Sequence, residues 1–210
     1  MQYLDSTGLS SNTIVIYTAD QGYFLGEHGF FDKRLIYEES LRMPFIIVYP
    51  PEVPAANRLD DIVLNIDFPA LFLDYAGLKK PANMQGESFR QNLAGNTPSG
   101  WRQSMYYRYW TNEENRPAHI GIRTERYTLA LFYGRSRKQK EGENGMPVPG
   151  WEFYDLKNDV QQTHNLINDD RYREIIKKLK KQLLQLRKKY QDTDVDFPYL
   201  KKLINENWND

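Results

Sequence analysis

The polar residues best suited to chemistry come directly after an apolar run in the sequence. Residues 13–18 are mostly β-branched or aromatic, and Asp20 and Gln21 follow them. A carboxylate beside an amide oxygen offers two hard oxygen donors, which suit Ca²⁺ or Mg²⁺ and not a soft metal. The same pair is also common in turns, so the spacing alone leaves metal ligation and turn chemistry both open.

A lysine and a histidine lie in the glycine-containing loop that follows this pair. Lys33 stands thirteen positions after Asp20, and His28 lies between them. A lysine ammonium held in such a loop offers a cation to an anionic substrate. The alternative is a solvated surface lysine, which is the commoner state of this residue type.

The elements that position these residues indicate an α/β fold in the first half of the chain. Residues 13–18 and 45–49 are continuous apolar runs, typical of strands buried on both faces of a parallel sheet. The loop 19–36 leaves the carboxyl end of the first strand, where α/β sheets bind ligands. We predict a short strand at 62–66 and a helix over 68–75, capped by Asp67 and closed by Gly77.

The second half of the chain has a different pattern. Runs at 104–110, 118–123, 126–132 and 153–156 predict a small antiparallel sheet, and 134–150 predicts a charged surface loop. A cap at Asp170 or a neighbour begins a helix of about twenty residues with one apolar face. We therefore predict two domains, 1–100 and 101–210, the second being a β subdomain with a long terminal helix.

Composition excludes several classes of function. The chain has 210 residues, with 28 Lys and Arg against 28 Asp and Glu, so no overall field favours nucleic acid. It has no cysteine, which excludes disulfides, cysteine-ligated metals and a thiol nucleophile. The longest apolar run, 45–49, is far shorter than the ~20 residues that a membrane span needs.

Several motifs, taken in order, resemble the C-terminal half of the formylglycine-type sulfatases of the alkaline-phosphatase superfamily. They are TADQG at 18–22, LGEHG at 25–29, Lys33, YEES at 37–40, RMP at 42–44, HIGIRT at 119–124 and EFYDL at 152–156. The resemblance extends from about residue 3 to about residue 190. It implies the C-terminal part of an alkaline-phosphatase-like parallel-sheet domain, followed by the small antiparallel sheet and terminal helix.

The resemblance also implies roles for particular residues. Asp20 and Gln21 match two calcium ligands, with Mg²⁺ as an alternative ion, and Lys33 matches the lysine that contacts the sulfate. His28 matches no defined role and is expected to support the site or pack in the loop. His119 and Arg123 fall where relatives that act on glycans contact substrate. A structural hydrogen bond for His119 and an ion pair for Arg123 or Arg126 are the alternatives.

The sequence departs from the family in two places. Sulfatases of this type carry Cys or Ser in a C/S-x-P-x-R motif, which becomes formylglycine, and an early Asp-Asp pair of calcium ligands. This chain has no such motif, and its Asp60-Asp61 pair follows the late motif, so it is interpreted as a surface turn. We expect the formylglycine in a missing N-terminal half of the same domain. The chain alone is then inactive, and it exposes sheet surface at Ile14 and Ile16.

The leading hypothesis is therefore part of a sulfuric ester hydrolase that cleaves sulfate esters, plausibly on glycans. A phosphonate or phosphate ester hydrolase of the same superfamily is one alternative. A catalytically inactive remnant that binds a glycan or a partner is another. The resemblance implies a periplasmic or secreted protein, whereas the substrate, the cleaved position and the oligomeric state are not determined by these residues.

Overall fold

The computed structural model describes residues 1–110, 112, 116–134 and 149–208. Its α-helices are α1 (Gln2–Ser6), α2 (Glu38–Leu41), α3 (Phe68–Tyr75), α4 (Arg90–Leu93), α5 (Arg173–Lys189) and α6 (Pro198–Glu206). Its strands are β1 (Val15–Thr18), β2 (Phe24–Leu25), β3 (Phe31–Asp32), β4 (Phe45–Val48), β5 (Ser104–Tyr109), β6 (His119–Thr124), β7 (Tyr127–Phe132) and β8 (Gly150–Asp155). No helix in these ranges is long and apolar enough to cross a bilayer.

The chain forms two compact units. The first contains Met1–Asp20 and Met43–Gln103, and the second contains Gln21–Arg42 and the chain from Ser104 onward. The main crossing point, after Gln103, is close to the boundary predicted at residue 100. Residues 21–42 group with the second unit, because they pack on its sheet. The division into domains 1–100 and 101–210 stays a prediction.

The first unit contains a two-stranded sheet whose direction differs from the expectation. β1 pairs with β4 antiparallel, with Val15 opposite Val48 and Thr18 opposite Phe45. The sequence predicted both runs as strands of a parallel sheet, whereas this particular pair is antiparallel. An apolar run reports burial and carries no information on the direction of its neighbour. The strands are also not buried on both faces: Tyr17 is 64% exposed and Ile46 is 60% exposed.

Near α3, the helix predicted over 68–75 is confirmed, whereas the strand predicted at 62–66 is absent from the structure. α3 spans 68–75 with Pro69 in its first turn, and Gly77 adopts a φ of +68° just after it. The predicted strand at 62–66 is wrong, since Asn65–Asp67 forms a 3₁₀ turn. The Asp67 carboxylate accepts a hydrogen bond from the Leu64 N–H at 2.7 Å, which folds the backbone back on itself. Asp67 itself is fully buried and also pairs with Arg102.

The second unit is built on the predicted antiparallel sheet. Its strand order is β5-β6-β7-β8, with all neighbours antiparallel. Helix α5 packs its apolar face on this sheet. The buried cluster comprises Ala118, Ile120, Ile122, Leu129, Leu131, Tyr133, Trp151, Phe153, Ile176, Leu179, Leu183, Leu200 and Ile204. Residues 21–42 pack closely on this sheet. At Gly121 of β6 there is no room for a side chain, because a Cβ there would lie 2.3 Å from Ile36 Cδ1.

The C-terminal elements extend beyond the prediction. The cap is Asp169, whose carboxylate accepts from the Arg171 N–H at 3.0 Å, and a 3₁₀ turn leads into α5. Helix α6 was not predicted; Leu200 and Ile204 bury its apolar face in the core. Most of the predicted surface loop, 135–148, lies outside the described residues, and Gly150 already belongs to β8.

Candidate functional site

Residues 21–42 carry most of the candidate chemistry and are held by the short helix α2. The backbone of Gly22 passes directly against this helix, since its N–H donates to the Ser40 carbonyl at 2.9 Å. A Cβ at Gly22 would lie 2.1 Å from the carbonyl oxygen of Glu39 and 2.5 Å from that of Arg42. Only glycine permits this approach, which explains the glycine of the TADQG motif.

Gln21 is oriented by two hydroxyl groups. Its Nε2 donates to Ser40 Oγ at 2.9 Å and lies 3.5 Å from the Tyr107 hydroxyl oxygen. Both contacts use the nitrogen end of the amide. The amide oxygen therefore points away from these hydroxyls, as a metal-binding orientation requires.

Lys33 lies between two residues in a left-handed backbone conformation. Asp32 has a φ of +86° and Arg34 a φ of +92°, which are costly for residues with a side chain. The Asp32 carboxylate accepts the guanidinium groups of Arg34 at 3.2 Å and Arg116 at 3.4 Å. Non-glycine residues in this conformation are often found at functional sites, where the surrounding structure holds them.

Asp20 belongs to the first unit and is the last residue before the boundary. It is exposed, and its carbonyl oxygen accepts from Asn65 Nδ2 at 3.2 Å. Thr18, Ala19, Asn65, Ile66 and Phe68 line a shallow depression together with it. Asp20 is followed in the chain by Gln21, which belongs to the second unit.

His28 packs inside the loop. Its ring stacks on Tyr37 with the centroids 4.3 Å apart, and its Nε2 lies 3.5 Å from a Glu39 carboxylate oxygen. His28 also adopts a φ of +54°. This is the loop-packing position that the sequence left as the alternative to a direct role.

His119 is fully buried on β6. Its ring stacks on Phe132 at 4.7 Å and Tyr107 at 5.6 Å, and its Nδ1 lies 2.8 Å from the Pro117 carbonyl oxygen. Burial lowers the pKa of His119 to about 4, so the ring is neutral at neutral pH and Nδ1 donates to that carbonyl. The position provides no exposed face for a substrate.

The two arginines of the small sheet form ion pairs within the unit. Arg123 contacts both carboxylate oxygens of Glu38, the first residue of α2, at 2.9 Å. Arg126 contacts Asp155 at 2.7 and 2.8 Å, and these bonds lower the pKa of Asp155 to about 2. Both arginines thus form ion pairs, and that of Arg123 fixes the start of α2, while a contact of Arg123 with substrate stays a prediction.

The donors present suit a hard cation but form only part of a site. A carboxylate at Asp20 and an oriented amide oxygen at Gln21 match the oxygen ligands of Ca²⁺. Within the described ranges, no three His, Asp or Glu side chains group closely enough to bind a metal. Two such donors are fewer than the about six to eight oxygen ligands that Ca²⁺ takes.

Sequence reasoning missed Ser40 and Tyr107, which hold the loop together. Ser40 is fully buried, and its Oγ also accepts from the Arg34 N–H at 2.9 Å. The Tyr107 hydroxyl donates to the Arg34 carbonyl at 2.7 Å. Ser40 was visible as the last residue of the YEES motif, whereas nothing in the spacing linked Tyr107 to Gln21, 86 residues earlier.

Comparison with solved structures defines the class of protein. The chain is 39% identical to a protein solved in complex with its substrate D-glucosamine-2-N,6-O-disulfate, with a TM-score of 0.80 over 93% of this chain and 38% of that one. It is also similar in fold to the phosphonate monoester hydrolase of Agrobacterium radiobacter, at 21% identity and a TM-score of 0.73 over 90% of this chain and 37% of that one. These folds are those of the alkaline-phosphatase superfamily.

The family follows from the sequence comparisons. The protein-family model described as N-sulphoglucosamine sulphohydrolase, C-terminal, matches residues 26–189. The chain therefore belongs to this family, which is the C-terminal portion of sulfatases of that superfamily. A relative from Bacteroides thetaiotaomicron, N-acetylglucosamine-6-O-sulfatase, is 40% identical over 93% of this chain. An arylsulfatase from Clostridium perfringens is 28% identical over 87%. The chain spans 34% and 35% of the lengths of these two relatives.

Proposed function

We propose that this chain is the C-terminal part of a calcium-dependent sulfatase that hydrolyses sulfate esters on amino sugars. The observation that carries the proposal is the 40% identity, over 93% of the chain, to an N-acetylglucosamine-6-O-sulfatase. A solved relative at 39% identity binds a glucosamine disulfate, which supports the same substrate class. The likeness to phosphonate hydrolases is below 25% identity and supports the fold alone.

In this proposal the chain contributes part of the charged machinery. Asp20 and Gln21 hold the cation through their carboxylate and amide oxygens, and Lys33 binds the sulfate. A bound Ca²⁺ supplies positive charge that favours binding of the anionic ester. His28, His119 and Arg123 act without touching substrate, since each packs against or pairs with residues of its own unit.

The nucleophile is proposed to lie outside this chain. There is no cysteine and no S-x-P-x-R sequence in the 210 residues. The relatives are about three times as long, so the portion that this chain does not match has room for a formylglycine motif and further calcium ligands. The chain by itself is then inactive towards sulfate esters.

An exposed apolar pair on the first unit supports the proposal that such a portion packs on this chain. Tyr17 and Ile46 are directly opposite each other in the β1–β4 register, and both are more than half exposed. Apolar pairs on a sheet face favour burial under another element. We propose that the N-terminal part of the same domain covers them. We also propose a secreted or periplasmic protein, because an extracellular sulfatase homologue of Drosophila melanogaster is 38% identical over 40% of this chain.

The test is to express the chain joined to the coding sequence directly upstream in the same reading frame. We expect sulfate release from N-acetylglucosamine-6-sulfate in the presence of calcium, and much slower hydrolysis of a phosphonate monoester. Replacing Lys33 by alanine should lower kcat about 10²–10³-fold, as the loss of one charge-stabilising contact does. Faster phosphonate than sulfate turnover would favour the other ester class. An unrelated upstream sequence, with glycan binding by the chain alone, would favour the inactive remnant.

A further inference from the structure

Ser40 and Tyr107 join the two ends of the candidate site through one small set of hydrogen bonds. Ser40 Oγ accepts from Gln21 Nε2 and from the Arg34 N–H, both at 2.9 Å. Tyr107 donates to the Arg34 carbonyl at 2.7 Å and lies 3.5 Å from Gln21 Nε2. The backbone just after Lys33 is thus bound at its N–H and at its carbonyl by the same two side chains that contact Gln21.

The proton of Tyr107 decides which end of the Gln21 amide faces these hydroxyls. A phenol has one proton, and here it is directed to the Arg34 carbonyl. The phenol oxygen can therefore only accept from Gln21, and only the amide nitrogen can donate to it. The opposite orientation would bring two acceptor oxygens together.

The backbone at Arg34 needs this support. Its φ of +92° and the +86° of Asp32 are left-handed conformations, which residues with a side chain disfavour. Hydrogen bonds to both the N–H and the carbonyl of Arg34 offset that cost. The anchor is firm, since Ser40 is fully buried in α2 and Tyr107 stacks on the buried ring of His119.

From this geometry we propose that Ser40 and Tyr107 are positioning residues: they hold the Gln21 amide with its oxygen presented to the cation and fix the backbone that carries Lys33. The inference rests on the proposed function, in that Gln21 is a metal ligand. Ser40 sets the position of the amide nitrogen, and Tyr107 determines its orientation. Removing either hydroxyl frees the amide to rotate, so the cation binds more weakly although no ligand has been removed.

The experiment measures calcium affinity by titration calorimetry, in the full-length protein encoded by the reading frame that contains this chain. Tyr107→Phe and Ser40→Ala should each weaken Ca²⁺ binding about 10-fold, the lower end of the effect of residues that support metal ligands. Tyr109→Phe is the matched control, because Tyr109 lies on the same strand and its ring lies 5.9 Å from His119. It should leave the affinity within twofold, and thermal melts should show all variants folded.

A double-mutant cycle separates positioning from a general structural effect. In a Gln21→Ala background, Tyr107→Phe should weaken calcium binding less than twofold further, because the group on which it acts is gone. Equal losses in both backgrounds would overturn the positioning role. Unchanged affinity in Tyr107→Phe and Ser40→Ala, with weaker binding in Gln21→Ala, would overturn this inference alone. Absence of calcium binding by the parent protein, or unchanged affinity in Gln21→Ala, would overturn the metal site and the proposed function with it.

Discussion

At the scale of single residues, the environment of each histidine determines what it can do. His28 stacks on Tyr37 inside the loop, and His119 is fully buried between aromatic rings. The His119 ring has no exposed face and the His28 side chain is 14% exposed, although both lie in motifs that suggest activity. The residues that hold the site in shape, Ser40 and Tyr107, are a serine and a tyrosine that carry no charge.

The buried ring of His119 predicts a pH dependence of stability. The pKa of His119 is about 4 in the folded protein, below its ordinary value of 6.5, because burial disfavours the charged form. Between pH 6.5 and 4 only the unfolded state takes up this proton. The stability that the folded protein gains from keeping His119 neutral is therefore complete above pH 6.5 and is lost as the pH falls. Over that window His119 adds a slope of up to ~1.4 kcal/mol per pH unit to the free energy of unfolding.

Replacing His119 by phenylalanine should remove this slope. Urea unfolding of the two proteins at several pH values between 7 and 4 measures it, since the carboxylates contribute equally to both. If the free energies of unfolding of the parent and of His119→Phe change with pH in parallel between pH 6.5 and 4, the pKa of His119 is not lowered.

At the scale of elements, the approach of Gly22 to α2 is the tightest feature of the loop. A Cβ at Gly22 would meet two backbone carbonyl oxygens, at 2.1 and 2.5 Å, and neither can move without displacing the helix. Gly22→Ala should therefore lower the free energy of unfolding by about 1–3 kcal/mol. It should also weaken calcium binding, because α2 carries Ser40.

Gly150→Ala is the control for this substitution, since no atom lies within 4 Å of a Cβ built there. It should change stability by less than about 0.5 kcal/mol. Thermal or urea unfolding of the two variants makes the comparison, and equal stabilities would contradict the close approach of Gly22 to α2.

A buried ion-pair cluster fixes the segment between α5 and α6. Asp194 is fully buried and accepts from Arg108 of β5 at 2.8 Å and from Arg187 of α5 at 2.7 Å. Asp194→Asn keeps the shape but leaves the buried guanidinium groups short of one negative charge. We expect a loss of about 3–5 kcal/mol in the free energy of unfolding, the usual cost of breaking a buried pair.

The matched control for Asp194 is Asp170→Asn. Asp170 pairs with Arg173 on the surface, where both side chains are more than 70% exposed. Such pairs contribute about 0–1 kcal/mol, so urea unfolding should detect little change. If both aspartates had equal effects, the cluster around Arg108 would not stabilise the C-terminal segment.

At the scale of the whole molecule, the exposed sheet face of the first unit governs how the chain behaves alone. The sequence indicated Ile14 and Ile16 as exposed surface, but both are partly buried, and Tyr17 and Ile46 are the exposed pair. Exposed apolar pairs promote association. We predict that the purified 210-residue chain self-associates, and that Tyr17→Lys with Ile46→Glu, an oppositely charged pair across the two strands, reduces this without lowering the melting temperature.

Sedimentation velocity of the two proteins tests this prediction. Charged substitutions at Tyr3, which is also exposed but lies outside the strand pair, provide the control. A parent chain that is monomeric across the concentration range would show that this face needs no cover.

The local elements were largely readable from the sequence. Strands β5 to β8, helices α3 and α5 and the stop at Gly77 follow from apolar periodicity, capping residues and a glycine after a helix, which are all short-range signals. The family was also readable, because motif order is a property of the chain. Helix α6 was missed, since it has only nine residues and is stabilised by burial of Leu200 and Ile204 in the core.

What the sequence by itself determined is therefore the set of chemical groups, the order of the motifs and most of the local elements. The tertiary structure alone decided the antiparallel pairing of β1 with β4, the burial of His119, the pairing of Arg123 with Glu38 and the contact of Tyr107 with Gln21. Each of these joins residues far apart in the chain. Neither propensity nor spacing reports such contacts, because their energies arise only when the sheet brings the partners together.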